Sequence, residues 1–291
     1  MPLTVLSPGL QTLPVNAGRV GMRSVGVPVG GAADRHSFRL AQALVGNRPD
    51  QTALEINLAG PTLRSEGRTS VVIVGAPFAV EFFGRGPLGM GESVVLEDGE
   101  ILRISGSPFG ARAYLAVPGG FGERTRPLVL NETLPTSGRI HPRRSIVDEF
   151  RISQDPIRVM TGPQFDWFLR PQQLVGMSFQ VAPASDRMGL RLRGSERLER
   201  KPGELVSEPV APGAIQVTND GHPVILGVDG QTIGGYPKIA HVIRADLDRI
   251  GQLRPGDTVR FRFVTPTEAE EGNREAERLT AEWELRIAAR S

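Results

Sequence analysis

Asp229-Gly230-Gln231-Thr232-Ile233-Gly234-Gly235-Tyr236-Pro237-Lys238-Ile239-Ala240-His241 crowds a carboxylate, a carboxamide, a hydroxyl, a phenol, an amine and an imidazole around a glycine pair. Such groups can hold a small polar ligand by hydrogen bonds, and a Lys can polarise a carbonyl or move a proton if burial lowers its pKa. Lys238 also reads as the solvated end of a strand. Gly234-Gly235 predicts a backbone that takes positive φ and approaches a ligand closely, and Tyr236-Pro237 fixes the exit from the turn.

Two apolar runs must position this loop: Pro223 to Val228 before it and Ile239 to Ile243 after it, both predicted as strands. A polar, Gly-rich loop between two buried strands is a sound design for a site. Around it the chain predicts more short strands, at 157–160, 179–181, 189–192 and 214–217. The stretch 258–264 alternates apolar and polar residues and is expected as an edge strand. The first half reads similarly, with strands at 53–58, 71–74, 80–83, 94–96, 101–104 and 113–117, which suggests a barrel or sandwich. One helix is expected near 37–45, capped by Asp34 and stopped at Gly46-Asn47.

Residues 119–150 are irregular and read as a linker or as a loop over a site. Thr267 with Glu270 forms a predicted capping box for an amphipathic C-terminal helix, whose stripe Ala276, Leu279, Trp283, Ile287 is expected to dock on the second barrel. The fold class is therefore mainly β, with few short helices. The expected organisation is a first β-subdomain over 1–150, a second over 151–265 that carries the loop, and a helix over 266–291.

The 291 residues contain no cysteine, which excludes disulfides, thiolate catalysis and Cys-based metal sites, and only four scattered histidines, so no metal site is expected. Basic and acidic residues nearly balance at +2, aromatics are 5%, and Arg is not gathered into a stripe, so no nucleic-acid partner is expected. No apolar run reaches the ~18 residues of a membrane helix, and Met1 to Gln11 lacks a signal-peptide pattern, so the expectation is a cytoplasmic protein with no membrane association. Gly84-Arg85-Gly86-Pro87-Leu88-Gly89 matches GxGxxG literally, but Pro87 and the glycines after it cannot open a helix; a hairpin loop is expected there.

Several segments together resemble one family, which includes the C subunit of bacterial 5-oxoprolinase, the KipA proteins, allophanate hydrolase subunit 2 and the carboxyltransferase region of urea carboxylase. They are Gly26 to Asp34, Leu44 to Asn47, Ala53 to Ile56, Gly60 to Leu63, Ala113 to Gly120, Ser185 to Leu192, Ser207 to Val210, Gly213 to Val217, Asp229 to Ala240, Ala245 to Leu247 and Gly251 to Asp257. Where the family usually has Gln-Asp ahead of its first Gly-Arg, this chain has Val15-Asn16-Ala17 before Gly18-Arg19. The resemblance implies two cyclophilin-like β-barrel subdomains.

The resemblance also implies chemistry on an amide. The C-type component of a 5-oxoprolinase opens 5-oxoproline to glutamate with ATP, in a complex with A-type and B-type (KipI-like) partners. A urea carboxylase-like domain instead passes a carboxyl group from biotin on a separate carrier, and KipA-like members are regulatory, antagonising a kinase inhibitor. No cofactor is expected on this chain itself. Either amide chemistry needs donors for a carboxylate and for a carbonyl oxygen, which implies Arg187 and the N–H groups of Gly234 and Gly235, with Asp186 orienting Arg187. Asp229, Gln231 and Tyr236 are implied amide-binding residues, Lys238 a polarising or proton-shifting one, and Arg19 and Asp34 a second wall of the cleft.

Overall fold

Thr69–Gly75, TSVVIVG, is buried along its whole length, as its β-branched run favours, and it sits at the centre of the chain's first core. The computed structural model describes residues 2–146 and 153–289. Contacts group the chain into two units: Met1–Ala17, Asp34–Ile152 and Leu279–Ser291 form the first, Gly18–Ala33 and Ser153–Arg278 the second.

In the first unit a six-stranded sheet and a five-stranded sheet share one core, in which Leu3, Leu63 and Leu102 from one meet Leu54, Ile73 and Leu115 from the other. Val94–Leu96 and Ile101–Ile104 match the expected strands residue for residue. The turn between them crosses from one sheet to the other and closes no hairpin. The GxGxxG stretch is a tight turn joining Val80–Phe82 to Gly86–Pro87, antiparallel strands with Gly84 and Gly86 at positive φ, and no helix follows. The region 119–150 is not wholly irregular: Thr133–Pro135 pairs with Pro2, Leu3 and Thr4, and the remainder of this expectation beyond 146 lies outside the described residues.

The second unit closes seven strands into a barrel in the order Ile157–Thr161, Lys238–Val242, Ala214–Val217, Pro223–Leu226, Gly189–Gly194, Ser178–Val181 and Thr258–Phe263. Thr258–Phe263 is not an edge strand. It pairs parallel with Ile157–Thr161 on one side and antiparallel with Ser178–Val181 on the other. Its alternation records one face on the core and one on solvent, which a strand inside a closed barrel shows equally well.

The first helix, Arg35–Leu44, is capped as expected: Asp34 Oδ1 accepts from Ser37 N at 3.0 Å and Oδ2 from Ser37 Oγ at 2.7 Å. The last helix, Pro266–Ala289, starts earlier than its expected box, because Pro266 suits the first helical position and Thr265 takes the cap. Thr265 N donates to Glu268 Oε2 at 2.7 Å and Glu268 N to Thr265 Oγ1 at 3.2 Å. Ala269 joins Ile243 and Val264 in a small cluster of the second unit. Thr280 instead bonds His36 at 2.8 Å and Glu284 pairs with Arg39 at 2.7 Å, both within the first unit. The helix therefore docks on the second barrel with its first half only. Leu279 is exposed, and the buried positions are Ala269, Thr280 and Ile287.

Candidate functional site

A bulge decides where Lys238 points. Across the barrel wall Ile215 pairs with Ala240 and Gln216 with Lys238, so Ile239 is an extra residue in its strand. Ile215, Val217, Ile239 and Ala240 all enter the core, which turns Gln216 and Lys238 together to the outer face. A two-stranded ribbon, Glu208–Pro209 with Ile233–Gly234, covers that face. Lys238, 5% exposed, donates to Glu208 Oε1, which also accepts from Gln164 Nε2 at 2.7 Å. Gln164 Oε1 in turn accepts from Lys238 N at 3.1 Å. These donors, the Lys238 ammonium first, hold the Glu208 carboxyl below the usual range, so it is ionised at neutral pH. Lys238 is no solvated strand end: its ammonium is enclosed, while Glu208 remains 35% exposed.

The other end of the loop carries a second pair. Arg187 Nε and Nη2 grip the two oxygens of Asp229 at 2.7 and 3.1 Å, and Nη2 also donates to Gly31 O at 2.7 Å. The backbone repeats the link, since Asp229 N donates to Arg187 O at 3.1 Å and Gly227 N to Met188 O at 2.9 Å. A β-carbon on Gly227 would lie 2.2 Å from Arg187 O, so only glycine permits this approach. Gly30 N bonds Val228 O at 2.9 Å, and Arg19 N bonds Val29 O at 2.7 Å, which brings the segment 18–33 to the same place. The exposed Arg19 guanidinium makes no hydrogen bond among the described residues; its Nη2 and Asp229 Oδ1 both lie beside Gly30, 3.4 and 3.6 Å from where a β-carbon on it would be.

Three expectations need correction. Asp186 does not orient Arg187: its Oδ1 accepts from Met188 N at 2.8 Å and Gly189 N at 3.2 Å, an Asx-type turn, and Asp229 does the orienting instead. Gly234 and Gly235 do not take positive φ. Gly234 is needed for space, because a β-carbon there would lie 2.6 Å from Gln216 Nε2 and 2.7 Å from Gln231 Nε2. Asp34 is a buried helix cap of the first unit, whereas Arg19 belongs to the second.

Gln231 and Tyr236 sit on the exposed surface of the loop, and Tyr236 makes no hydrogen bond among the described residues. His241 is pushed below the ordinary imidazole value by burial, with the nearby Lys238 charge adding to it. Sequence reasoning passed over Glu208, Gln164 and Gln216 as site residues. One signal was available: Lys238 is one of only two lysines in an Arg-rich chain, and a Lys inside an apolar strand needs a carboxylate.

The carboxyltransferase domain family, subdomain A and B, matches residues 25–130 and 121–263 of this chain. The 5-oxoprolinase C subunit of Haemophilus influenzae is 32% identical over 273 residues, covering 87% of this chain and 88% of that protein. The 5-oxoprolinase C subunit of Escherichia coli is 30% identical over 283 residues, covering 89% and 90%. Among solved structures, the Kluyveromyces lactis urea carboxylase superposes with a TM-score of 0.84 at 27% identity, over 97% of this chain but only 29% of that one.

Proposed function

The chain belongs to the carboxyltransferase domain family, and from that premise we propose that it serves as the C-type subunit of an ATP-dependent 5-oxoprolinase in the cytoplasm, opening the cyclic amide of 5-oxoproline to glutamate with A-type and B-type subunits. The observation that carries this reading is the length of the match. Both bacterial 5-oxoprolinase relatives are covered almost end to end, whereas the urea carboxylase chain is more than three times as long as the stretch it shares.

Opening a lactam adds water across its C–N bond: the carbonyl carbon gains an oxygen and the ring nitrogen leaves as an amine with an added proton. Negative charge develops on the carbonyl oxygen and must meet fixed donors, while the nitrogen needs a proton. The enclosed Lys238 ammonium, steadied by Glu208 and Gln164, is suited to either task. Arg19, whose guanidinium makes no hydrogen bond among the described residues, can donate to the substrate carboxylate, and Asp229, locked by Arg187, is an acceptor fixed near it. Arg187 thus serves as a positioning residue. ATP is consumed by the complex, and no step on this chain is assigned to it.

The test is ATP-dependent release of glutamate from 5-oxoproline by the chain mixed with its A-type and B-type subunits. Lys238→Met should lower turnover on the order of 100-fold with the fold intact, and Arg187→Ala should collapse it by freeing Asp229. An assembled wild-type complex that releases no glutamate would sink the assignment. The urea carboxylase likeness then favours the second reading, carboxyl transfer to a small amide from biotin on a separate carrier protein.

A further inference from the structure

Gln164 lies just past the end of Ile157–Thr161 and is 6% exposed, and both polar ends of its side chain meet the Lys238–Glu208 pair. Its Oε1 accepts from Lys238 N at 3.1 Å, its Nε2 donates to Glu208 Oε1 at 2.7 Å, and its own backbone N donates to Lys238 O at 3.3 Å. The carboxamide has one orientation here, because Lys238 N can only donate and an ionised carboxylate can only accept. The turn that presents it comes very close to the lysine. Gly162 N bonds Ile239 O at 2.9 Å, and a β-carbon on Gly162 would lie 2.2 Å from Lys238 O, so the absence of a side chain permits the approach. One planar amide thus links the backbone of a lysine to that lysine's own counter-ion.

An ammonium and a carboxylate shielded from water have an alternative to remaining an ion pair. The proton crosses from Lys238 Nζ to Glu208 Oε1, both groups become neutral, and the cost of enclosing two charges is relieved. A hydrogen bond given to the charged form of an acid holds it in that form. The Gln164 Nε2 donates to the same Oε1 that would receive the proton, so it opposes the crossing. We propose that Gln164 is a positioning residue whose carboxamide keeps the pair charged, so that Lys238 meets the substrate as an ammonium with a proton to give. The inference deepens the proposed function and rests on it for the reaction; the effect on the pair stands apart from it. Among the described residues Lys238 is the charge that acts on Glu208, and His241, on the Lys238 strand, is lowered by burial first, with the same ammonium adding to it.

Carboxyl-13C NMR of the full chain labelled in glutamate tests this without ATP or partners, the Glu208 resonance being assigned by its loss in Glu208→Gln. At pH 7 that resonance should lie nearer its protonated position in Gln164→Met than in wild type. In the assembled complex, Gln164→Met should lower kcat about tenfold with KM for 5-oxoproline little changed. Gln164→Glu is the second variant. It keeps an acceptor for Lys238 N, so the turn is spared, but its carboxyl donates to Glu208 only while protonated. Its kcat should therefore fall as pH rises, a loss that wild type, with a permanent donor, does not share. Coincident Glu208 resonances in wild type and Gln164→Met overturn the inference, as does a wild-type kcat in Gln164→Met or a wild-type pH profile in Gln164→Glu. A wild-type complex that releases no glutamate would sink the proposed function instead, and the Glu208 resonance would still decide what Gln164 does to the pair.

Discussion

The two units each bury a cation against a carboxylate and treat the pair in opposite ways. In the first unit Arg112 Nε bonds Glu55 Oε1 at 3.2 Å, and neither side chain is more than 6% exposed. Tyr114 closes the network: its hydroxyl donates to Glu55 Oε2 at 2.8 Å and accepts from Asp34 N at 2.8 Å. Burial, with the Glu55 and Asp34 charges behind it, pushes the Tyr114 phenol far above its ordinary value. In the second unit the cations Lys238 and Arg187 are as enclosed, but their carboxylates, Glu208 and Asp229, are about a third exposed. A pair closed on all sides can only hold a fold together. A pair with one open side has a polar edge left for a ligand, and the same chemistry serves a different end.

The largest effect separating the two should come from deleting the acid in each. Glu55→Ala takes the carboxylate away from a buried Arg112 and should cost about 3–5 kcal/mol in urea unfolding. Glu208→Ala admits water to Lys238 and should cost only about 1 kcal/mol or less, while amide turnover falls. Equal losses of stability would erase the distinction. Next in size, Tyr114→Phe removes its hydrogen bonds to Glu55 and from Asp34 N and should cost about 1–2 kcal/mol, whereas Tyr236→Phe should move stability by less than about 0.5 kcal/mol.

The smallest effect is one of pH and belongs to the back of the site. His241 has a folded pKa below its unfolded one, so the unfolded chain binds the proton more readily. Its contribution to stability is present above the ordinary value of 6.5 and is lost as pH falls below it toward the folded value. Urea midpoints at pH 7.5 and 5.5 should differ less in His241→Gln than in wild type; an unchanged difference would place the acid sensitivity elsewhere, with His141 and His222, both also lowered by burial, as the next variants.

Local signals in the sequence located the elements well, and long-range pairings escaped it. Asp34 ahead of a 3.6-period stripe named its helix and cap, and the strand runs lie within a few residues of their expected bounds, because both follow from neighbouring side chains. The edge reading of 258–264 failed because alternation reports which face is buried and is silent on how many neighbours a strand has. At the site, the loop and Lys238 stood out by residue type. Glu208 meets Lys238 across 30 residues through a ribbon of two-residue strands, and a single-residue bulge turns Gln216 toward them. Neither device leaves a periodic trace. The adjacent Asp186 and Arg187 invited a local pairing, yet the chain spends Asp186 on a turn and brings Asp229 from 42 residues away.

The interleaving of the two units also sets a timetable. Residues 18–33 leave the ribosome well over a hundred residues ahead of the barrel whose loop residue Val228 accepts the hydrogen bond of Gly30 N. Conversely, the first unit gains Thr280 and Glu284, the partners of His36 and Arg39, only 244 and 245 residues later in synthesis. At about 5–20 residues per second the early pieces wait for many seconds. The first unit is not complete until the residues from Leu279 onward have been made, nor the second until its barrel strands have been. A nick or a gene split near residue 150 would therefore give two fragments that must find each other before either is whole, which makes this protein a poor candidate for expression in halves.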